Sequence, residues 1–532
     1  MSGGEALVAA LAEHGVDTIF GIPGTHNLSV YAAMQRHGMR HVSTRHEQGA
    51  GYGADGYARS SGRPGVCVTT TGPAILNAAA AAAQAYSDSV PVLFVSPGMP
   101  LRHPGRGNGL LHEIKNQSGA MAAILGESHR VTTVEEIPLA VAQCWATMTS
   151  GRPRPVHLEI PLDLLEESAV VTLVAPVPIA RATADRSALA AALELLSAAE
   201  QPVVVVGGGA RDAGPALLGL AEALGAPMVS TANGKGIVPE DHALFVGAGL
   251  QHPCVLDLID GSDLVFAVGT ELAPSDWWIG LPDLGDRLVR IDVDPIAVVT
   301  NAVPRVSLVG DARKTLEALL SADLRVASGE SGCVRARKAR ESHQQAAREE
   351  GAPWVEIVSA ISAALPRDAI IAADSAMVCY YGALSNLPLH RPGAFLYPTG
   401  VGTLGFGLPA GIGAKVANPD APVLVLQGDG GTMFTLAELA SAAELGIALP
   451  VVVVDNGGYG EIRNEMADRD DPVHAVALGH PDFPALARAL GCRGVHVETD
   501  DELTAAVKSA LEADRPTLIH VTEQSRASED MG

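Results

Sequence analysis

Two apolar runs late in the chain constrain its fold more than any other feature. Val423-Leu-Val-Leu-Gln-Gly-Asp-Gly-Gly-Thr432 and Val451-Val-Val-Val-Asp-Asn-Gly-Gly-Tyr-Gly-Glu-Ile-Arg463 each open on consecutive branched residues. That is the pattern of strands buried on both faces of a parallel sheet. Each run stops at a glycine turn bearing polar atoms, Gly428-Asp429-Gly430-Gly431 and Asp455-Asn456-Gly457-Gly458. Ligands of open α/β sheets bind beyond the carboxyl ends of the strands. A carboxylate and an amide on two adjacent strand ends therefore form an oxygen-rich corner suited to a hard cation such as Mg²⁺. The glycines let bare backbone approach a diphosphate. Residues 431 to 450 are expected to hold one helix, with Thr435 and Glu438 spaced as a capping box. Alone, either glycine turn reads as an ordinary turn; together they define a candidate site.

A chain of 532 residues is too long for one core, so three domains are expected. An apolar share of 47% with 18% charged residues describes a globular protein. A net charge of −24, without a Lys/Arg run, argues against nucleic acid as a partner. Cys67, Cys144, Cys254, Cys333, Cys379 and Cys492 are scattered without CxxC spacing, which argues against zinc or a disulfide framework and for a reducing compartment. Glu5, Glu13 and Asp17 fall where a signal peptide would be apolar, and Ala78–Ala83 is too short for a membrane span. A cytoplasmic protein with no membrane partner is expected.

In chain order, residues 1–168 alternate helix and strand, with strands at Thr18–Phe20, Val42–Thr44, Val66–Thr70 and Val92–Val95, and a Pro-bounded segment 153–161 to close the unit. This describes a doubly wound parallel sheet. Residues 171–186 read as a linker. A central α/β domain is expected over 186–325, with strands at Val203–Val206, Leu264–Val268 and Leu288–Asp292. Its turn Gly207-Gly-Gly-Ala210 resembles a dinucleotide loop, but the third glycine of the fingerprint falls on Asp212. A tight turn with close packing is the better reading. Residues 321–350 read as a polar linker passing into a helix, and 350–526 as a third α/β domain. The fold class is thus α/β, with two doubly wound parallel-sheet domains flanking a central α/β domain.

With a metal and diphosphate corner in the third domain, the first is searched for the chemistry. Glu47 stands where a strand becomes a helix, in His46-Glu-Gln-Gly-Ala-Gly-Tyr-Gly-Ala-Asp-Gly-Tyr-Ala-Arg59, followed by small residues that would admit another chain or a flat ring. By itself Glu47 reads better as a carboxylate favoured at a helix start by the dipole. Gly21-Ile-Pro-Gly24, Arg45-His-Glu-Gln-Gly49, Ala54-Asp-Gly-Tyr-Ala-Arg59, Gly72-Pro73 with Asn77, Gly151-Arg-Pro-Arg-Pro-Val156, Ile291-Asp-Val-Asp-Pro295 and Gly402-Thr-Leu-Gly-Phe-Gly-Leu-Pro409 complete the pattern. With the metal motif, the chain closely resembles the thiamine diphosphate-dependent 2-oxo acid decarboxylases and carboligases, a family including acetolactate synthase and benzoylformate decarboxylase. His46-Glu-Gln-Gly49, Leu111-His-Glu113 and Asn456–Ile462 look most like the 5-guanidino-2-oxopentanoate decarboxylases.

The resemblance implies thiamine diphosphate and Mg²⁺ as cofactors, and a 2-oxo acid that loses CO₂ through a cofactor-stabilised carbanion to give an aldehyde, with carboligation as a further outcome. It assigns Asp429, Asn456 and the carbonyl of Gly458 to the metal. Gly428, Gly430, Gly431 and Thr432 go to the diphosphate, and Pro23, Gly24, Gly72, Asn77, Gly402, Leu404 and Tyr459 to the rest of the cofactor. Glu47 would hydrogen-bond the aminopyrimidine from a dry pocket, and Leu404 would press the two rings together. Thr25, His26, His112, Gln117 and Glu461 are the candidates to face substrate, although a lone histidine near a turn is commonly a satisfied structural group. Glu461 would favour a cationic or hydroxylated tail. Glu47 and the metal corner come from different chains in this family, so a homodimer at least, and a homotetramer by preference, is implied.

The chain departs from the family in places. Asp455 replaces a frequent first Asn, Ala74 a glycine, and Leu404 the methionine of acetolactate synthases. Thr25 takes the place of an acid used by pyruvate decarboxylases. No pattern demands flavin, and none is expected. An acetolactate synthase-like carboligase is the enzyme alternative. A non-catalytic cofactor-binding relative is the alternative of another class, which the joint presence of Glu47, Asp429 and Asn456 disfavours.

Overall fold

The computed structural model describes residues 1–278, 280–322 and 331–523. The expected domain ends at 325 and 526, and residues 323–330 of the polar stretch, lie outside them; the rest of that stretch passes into the helix Gly332–Glu350, as expected. Three six-stranded sheets follow one another along the chain, and every ladder is parallel. The first contains β1 (Thr18–Gly21), β2 (Arg40–Ser43), β3 (Gly65–Val68), β4 (Val92–Gly98), β5 (Ser128–Arg130) and β6 (Val156–Pro161) in the order 2-1-3-4-6-5. The second contains β7 (Pro202–Val206), β8 (Met228–Ser230), β9 (Phe245–Ala248), β10 (Leu264–Val268), β11 (Leu288–Asp292) and β12 (Val306–Val309). Counted within that sheet the order is 3-2-1-4-5-6, one of the two common doubly wound orders. The third contains β13 (Ile370–Ala373), β14 (Phe395–Leu396), β15 (Val423–Gly428), β16 (Pro450–Asp455), β17 (Arg493–Val497) and β18 (Thr517–Thr522). Its order, β14-β13-β15-β16-β18-β17, repeats that of the first sheet, so both outer domains share one architecture. The α/β class with three units is as the sequence indicates.

The first sheet has two strands more than its four clear apolar runs predict. β5 is a short polar strand at the sheet edge. β6 is wholly buried but carries His157 and Glu159, whose polarity hides it from a reading of hydropathy. His157 is satisfied inside the domain, between Ser96 Oγ at 2.8 Å and Ser128 Oγ at 2.7 Å.

The outer domains are joined by a helix pair. Glu47–Ser61 packs on Gly407–Ala417, and one apolar core runs from Phe20, Ala50 and Tyr52 through Phe406, Leu408 and Ile412 to Val425. The small residues after Glu47 thus serve this chain's own packing rather than admitting another chain or a ring. A Cβ on Gly53 would lie 2.8 Å from the Phe20 ring, and one on Gly56 would lie 2.6 Å from Ala410 Cα.

Two further expectations change. The stretch after Gly428 forms two helices, Asp429–Thr435 and Glu438–Leu445, instead of one. Thr435 and Glu438 do not form a capping box. Thr435 Oγ1 donates to Gly405 O at 2.9 Å, and Glu438 accepts the backbone N–H groups of Arg45 and His46. Long-range partners outcompete the local cap. The turn after β7 behaves as read, since a Cβ on Gly209 would come within 2.9 Å of Gly269 Cα. All six cysteines are free, and no helix among the described residues is long and apolar enough to cross a membrane.

Candidate active site

Four neighbouring strands of the third sheet, β13, β15, β16 and β18, deliver polar residues to one edge: Asp374, Asp429, Asn456 and Glu523. Pairing of Gly428 with Val454 sets the ends of β15 and β16 side by side. Beyond them opens a cleft of about 250 Å³, lined by Asp429, Asn456, Gly458, Tyr459, Glu461 and Glu523 among others. Gly402, Leu404, Gly428, Gly430 and Gly431 also face it. Gly458 and Gly402, with φ of +133° and +66°, hold backbone conformations that side chains disfavour. A Cβ on Gly430 would lie 3.1 Å from the Tyr459 ring and 3.3 Å from Gly458 O, so a side chain here would press on both. Thr432 is buried beneath, its Oγ1 donating to Gly428 O at 2.7 Å.

The donor set fits a hard divalent cation. Asn456 Oδ1 is buried without a hydrogen-bond partner, while its Nδ2 turns to Met377 Sδ at 3.7 Å. Such an orphaned acceptor is costly unless something occupies it. Asp429 is 4% exposed, and burial, then the charge of Asp455, pushes its carboxyl upward. A cation would relieve both. The corner offers a carboxylate, an amide oxygen and the Gly458 carbonyl, all hard oxygens. It is a mixed set, and no cluster of three His, Cys, Asp or Glu able to hold a metal occurs among the described residues. Asp455 is engaged elsewhere, by His480 Nδ1 at 3.0 Å, His520 Nε2 at 3.1 Å and Gly457 N at 2.9 Å. Burial pushes its carboxyl up, but the two histidines outweigh that and hold it well below the usual range.

Sequence reasoning missed Asp374, Glu523 and the aromatic side of this cleft. Asp374 is buried and accepts Gly405 N at 2.9 Å and Phe406 N at 3.2 Å, fixing the turn that carries Leu404; burial pushes its carboxyl up to about 6. The strand-end rule that found Asp429 would have found Asp374 directly after Ala373. Glu523 Oε2 accepts Trp354 Nε1 at 3.2 Å, and Glu461 Oε1 accepts Tyr381 Oη at 2.8 Å. Trp354 and Tyr381 stack at 5.8 Å, and Trp278 meets Tyr381 edge-on at 5.4 Å. Tyr380 and Tyr381 lie on a π-helical turn, Val378–Ala383, a form frequent at functional sites.

The first domain gathers a second cluster. Glu47 opens its helix after an N-cap at His46, is half-buried, and accepts Asn77 Nδ2 at 2.9 Å. Gly72, at φ +66°, lies under the backbone of His112 and donates to Gln117 Oε1 at 2.8 Å. The Gln117 amide is used inside the domain, donating also to Ser96 Oγ and Pro97 O. The rings of His26 and His112 meet at 5.1 Å, and each keeps a buried Nδ1 without a partner. Burial, then His112, lowers the His26 imidazole. Thr25 is exposed beside His26 on a short 3-10 turn, with Gly24 against Thr70 and Pro23 exposed. None of these first-domain residues lines the Asp429 cleft. Within one chain the structure forms two clusters. A separate cavity of about 480 Å³ lies where the three sheets meet, lined in part by Arg152, Gly208, Arg211, Glu271 and Asp292.

The fold is thus that of a three-domain α/β protein with an oxygen-rich cleft at the strand ends of its third sheet. Three family models match in order: the thiamine pyrophosphate enzyme N-terminal TPP binding domain over residues 1–120, the central domain over 189–319, and the C-terminal TPP binding domain over 376–521. The chain belongs to the thiamine pyrophosphate enzyme family. It is 42% identical over 527 residues, 98% of this chain and 94% of the relative, to a protein of Pseudomonas aeruginosa named a probable 2-ketoarginine decarboxylase. It is 31% identical to a probable acetolactate synthase large subunit of Methanocaldococcus jannaschii (98% and 92% of the two chains). It is 30% identical to the acetolactate synthase isozyme 2 large subunit of Escherichia coli (98% and 95%).

Proposed function

We propose that this chain is a thiamine diphosphate- and Mg²⁺-dependent decarboxylase of a 2-oxo acid with a guanidino end, releasing CO₂ and an aldehyde in the cytoplasm. The observation that carries the reading is the corner of Asp429 and Asn456, where a buried carboxylate stands beside a buried amide oxygen with no partner. The similarity to the Pseudomonas protein supports the substrate. The domains are taken as 1–168 for the aminopyrimidine, 186–325 as the centre and 350–526 for the diphosphate and metal.

Asp429, Asn456 Oδ1 and the Gly458 carbonyl hold the metal. Gly428, Gly430, Gly431 and Thr432 present backbone to the diphosphate, and Asp374 fixes the Gly402–Leu404 turn. When bound, the cofactor supplies the electron sink that breaking the carboxylate bond requires. Glu47 would hydrogen-bond the aminopyrimidine, and its carboxylate is oriented by the amide of Asn77. Gln117 keeps Gly72 in place, and the free Nδ1 atoms of His26 and His112 bind the 2-oxo acid end. Glu461 and the tyrosines beside it take the cationic tail. The Glu47 cluster and the Asp429 cleft share no lining residue, which supports a site completed between two chains, and so a homodimer at least, arranged by preference as a homotetramer.

A second reading, carboligation as in the acetolactate synthases, rests on the relatives at 30–31% identity. CO₂ release from a panel of 2-oxo acids, with thiamine diphosphate and Mg²⁺ omitted in turn and with Glu47→Gln, tests the proposal. Release must require both cofactors and Glu47. Persistence without them overturns it, and an acyloin in place of an aldehyde selects the second reading.

A further inference from the structure

The segment from Asp429 to Leu445 links three parts of the proposed site: the metal corner, the turn that carries Leu404 and the residues just before Glu47. Its first residue is the metal corner. Thr435 Oγ1 then donates to Gly405 O at 2.9 Å, next to the turn that carries Leu404. Glu438 reaches in the opposite direction, to the residues just before Glu47. Its Oε1 accepts Arg45 N and His46 N, both at 3.0 Å, and its Oε2 accepts Arg45 N at 3.1 Å and Ser441 Oγ at 2.7 Å. Glu438 is 1% exposed, and the charged side chain of Arg45 is turned away to Glu444. A Cβ on Gly49 would lie within 2.7 Å of Glu438 Cδ, so the helix that starts at Glu47 closes directly over this carboxylate.

A buried acceptor on two successive amides fixes the orientation of both peptide planes. Those planes precede Glu47, so they set the direction in which its side chain leaves the helix. Among the described residues, Glu438 is the side chain that accepts the Arg45 and His46 amides. Leu439, the next residue, is locked in the core shared with Ala50 and Phe406, which leaves the carboxylate little freedom to swing.

We propose that Glu438 is a positioning residue for Glu47, holding the peptides of Arg45 and His46 so that the Glu47 carboxylate meets the aminopyrimidine. The inference rests on the proposed role of Glu47. It also means that one rigid segment sets the metal corner of one site and the acid of another where two chains share their sites. Burial outweighs the hydrogen bonds from Ser441, Arg45 and His46 and holds the Glu438 carboxyl above its usual range.

The test uses the full-length protein loaded with thiamine diphosphate and Mg²⁺. The readout is the rate of hydrogen–deuterium exchange at C2 of the bound cofactor, by acid quench and NMR, beside kcat, KM and Mg²⁺-dependent cofactor affinity by fluorescence. Glu438→Ala should slow C2 exchange and kcat together by about 10- to 100-fold, with KM and cofactor affinity unchanged. Glu438→Gln keeps the shape and one acceptor oxygen, should fold, and should recover part of the exchange rate. A folded Glu438→Gln or Glu438→Ala protein that exchanges at the wild-type rate overturns the inference, as does a loss of cofactor affinity and exchange in equal measure. Glu47→Gln separates the two claims. If Glu47→Gln abolishes exchange while the Glu438 variants do not, only the positioning role falls. If Glu47→Gln also exchanges normally, the role of Glu47 falls and takes this inference with it.

Discussion

Replacing Gly56 by alanine tests the contact that ties the two outer domains into one body. A methyl group at Gly56 would sit 2.6 Å from Ala410 Cα and 2.7 Å from its carbonyl carbon. Carbon atoms pack without strain at about 3.5–4.0 Å, so the helices must part by about 1 Å. The obstacle is backbone, which cannot swing aside as a side-chain tip can. The partner helix repeats the arrangement, since a Cβ on Gly413 would fall 2.8 Å from the Gly53 carbonyl carbon. Alanine is the better helix former by about 1 kcal/mol, which favours the variant. Overpacking a close-packed core costs about 1–3 kcal/mol. Contacts with backbone belong at the upper end of that range, so a net loss of about 1–2 kcal/mol is expected. Catalysis should suffer more, because the displaced helix begins at Glu47 and a shift of about 1 Å can cost about 100-fold in rate. The urea midpoint by circular dichroism reads the first effect and initial CO₂ release the second. Gly479→Ala, with no atom within 4 Å of the added methyl, is the control and should stay within about 0.5 kcal/mol of wild type. A Gly56→Ala protein as stable as wild type, or stabilised by its helix propensity, refutes the reasoning.

Asn456→Leu removes an oxygen with no hydrogen-bond partner, so the cofactor-free protein should keep its stability to within about 1 kcal/mol. Mg²⁺-dependent retention of thiamine diphosphate, followed by equilibrium dialysis, should be lost; retention at the wild-type level would remove Asn456 from the metal shell. His157 is fully buried and its imidazole is lowered to about 3 by burial, so the unfolded chain takes the proton first as pH falls below 6.5. Stability should therefore drop on acidification by about 1.4 kcal/mol per pH unit from this group, and His157→Asn should flatten urea-unfolding stability between pH 6.5 and 5 by that amount. Glu461→Gln should raise KM for a guanidino-ended 2-oxo acid more than for pyruvate, and equal effects would deny Glu461 a part in choosing the tail.

What could be read from the sequence, and what could not, divides by the range of the interactions involved. β15, β16, β7 and β10 are legible because consecutive Val and Leu residues bury both faces. β6 is not, because His157 and Glu159 are buried polar groups whose partners come from elsewhere. Asp429 and Asn456 are legible because a strand, its turn and its polar residue are contiguous. Thr435 and Glu438 mislead for the opposite reason. Their spacing is that of a local cap, while their hydrogen bonds run to Gly405 and to residues about 390 positions earlier.

The strand ends themselves explain why one chain carries two such different clusters on one architecture. Both outer sheets have the order 2-1-3-4-6-5 and therefore place their crevice at the same point of the topology. In the third sheet the central strands lead into Asp374, Asp429, Asn456 and Glu523, of which Asp429, Asn456 and Glu523 line the cleft. In the first sheet β1, β3 and β4 end at Gly21-Ile-Pro-Gly24, Thr69-Thr-Thr-Gly72 and Ser96-Pro-Gly98, all uncharged, and the Glu159 carboxylate of β6 accepts from Gln117 and Ser118. A rim of that kind cannot hold a metal and a diphosphate, but it leaves room for a flat ring beside one carboxylate, Glu47. On the function proposed above, each crevice takes a different end of the cofactor, and the catalytic unit brings a first-sheet crevice of one chain to a third-sheet crevice of another. Within a chain, the contacts of Gly56 and Gly413 already commit those two domains to another arrangement.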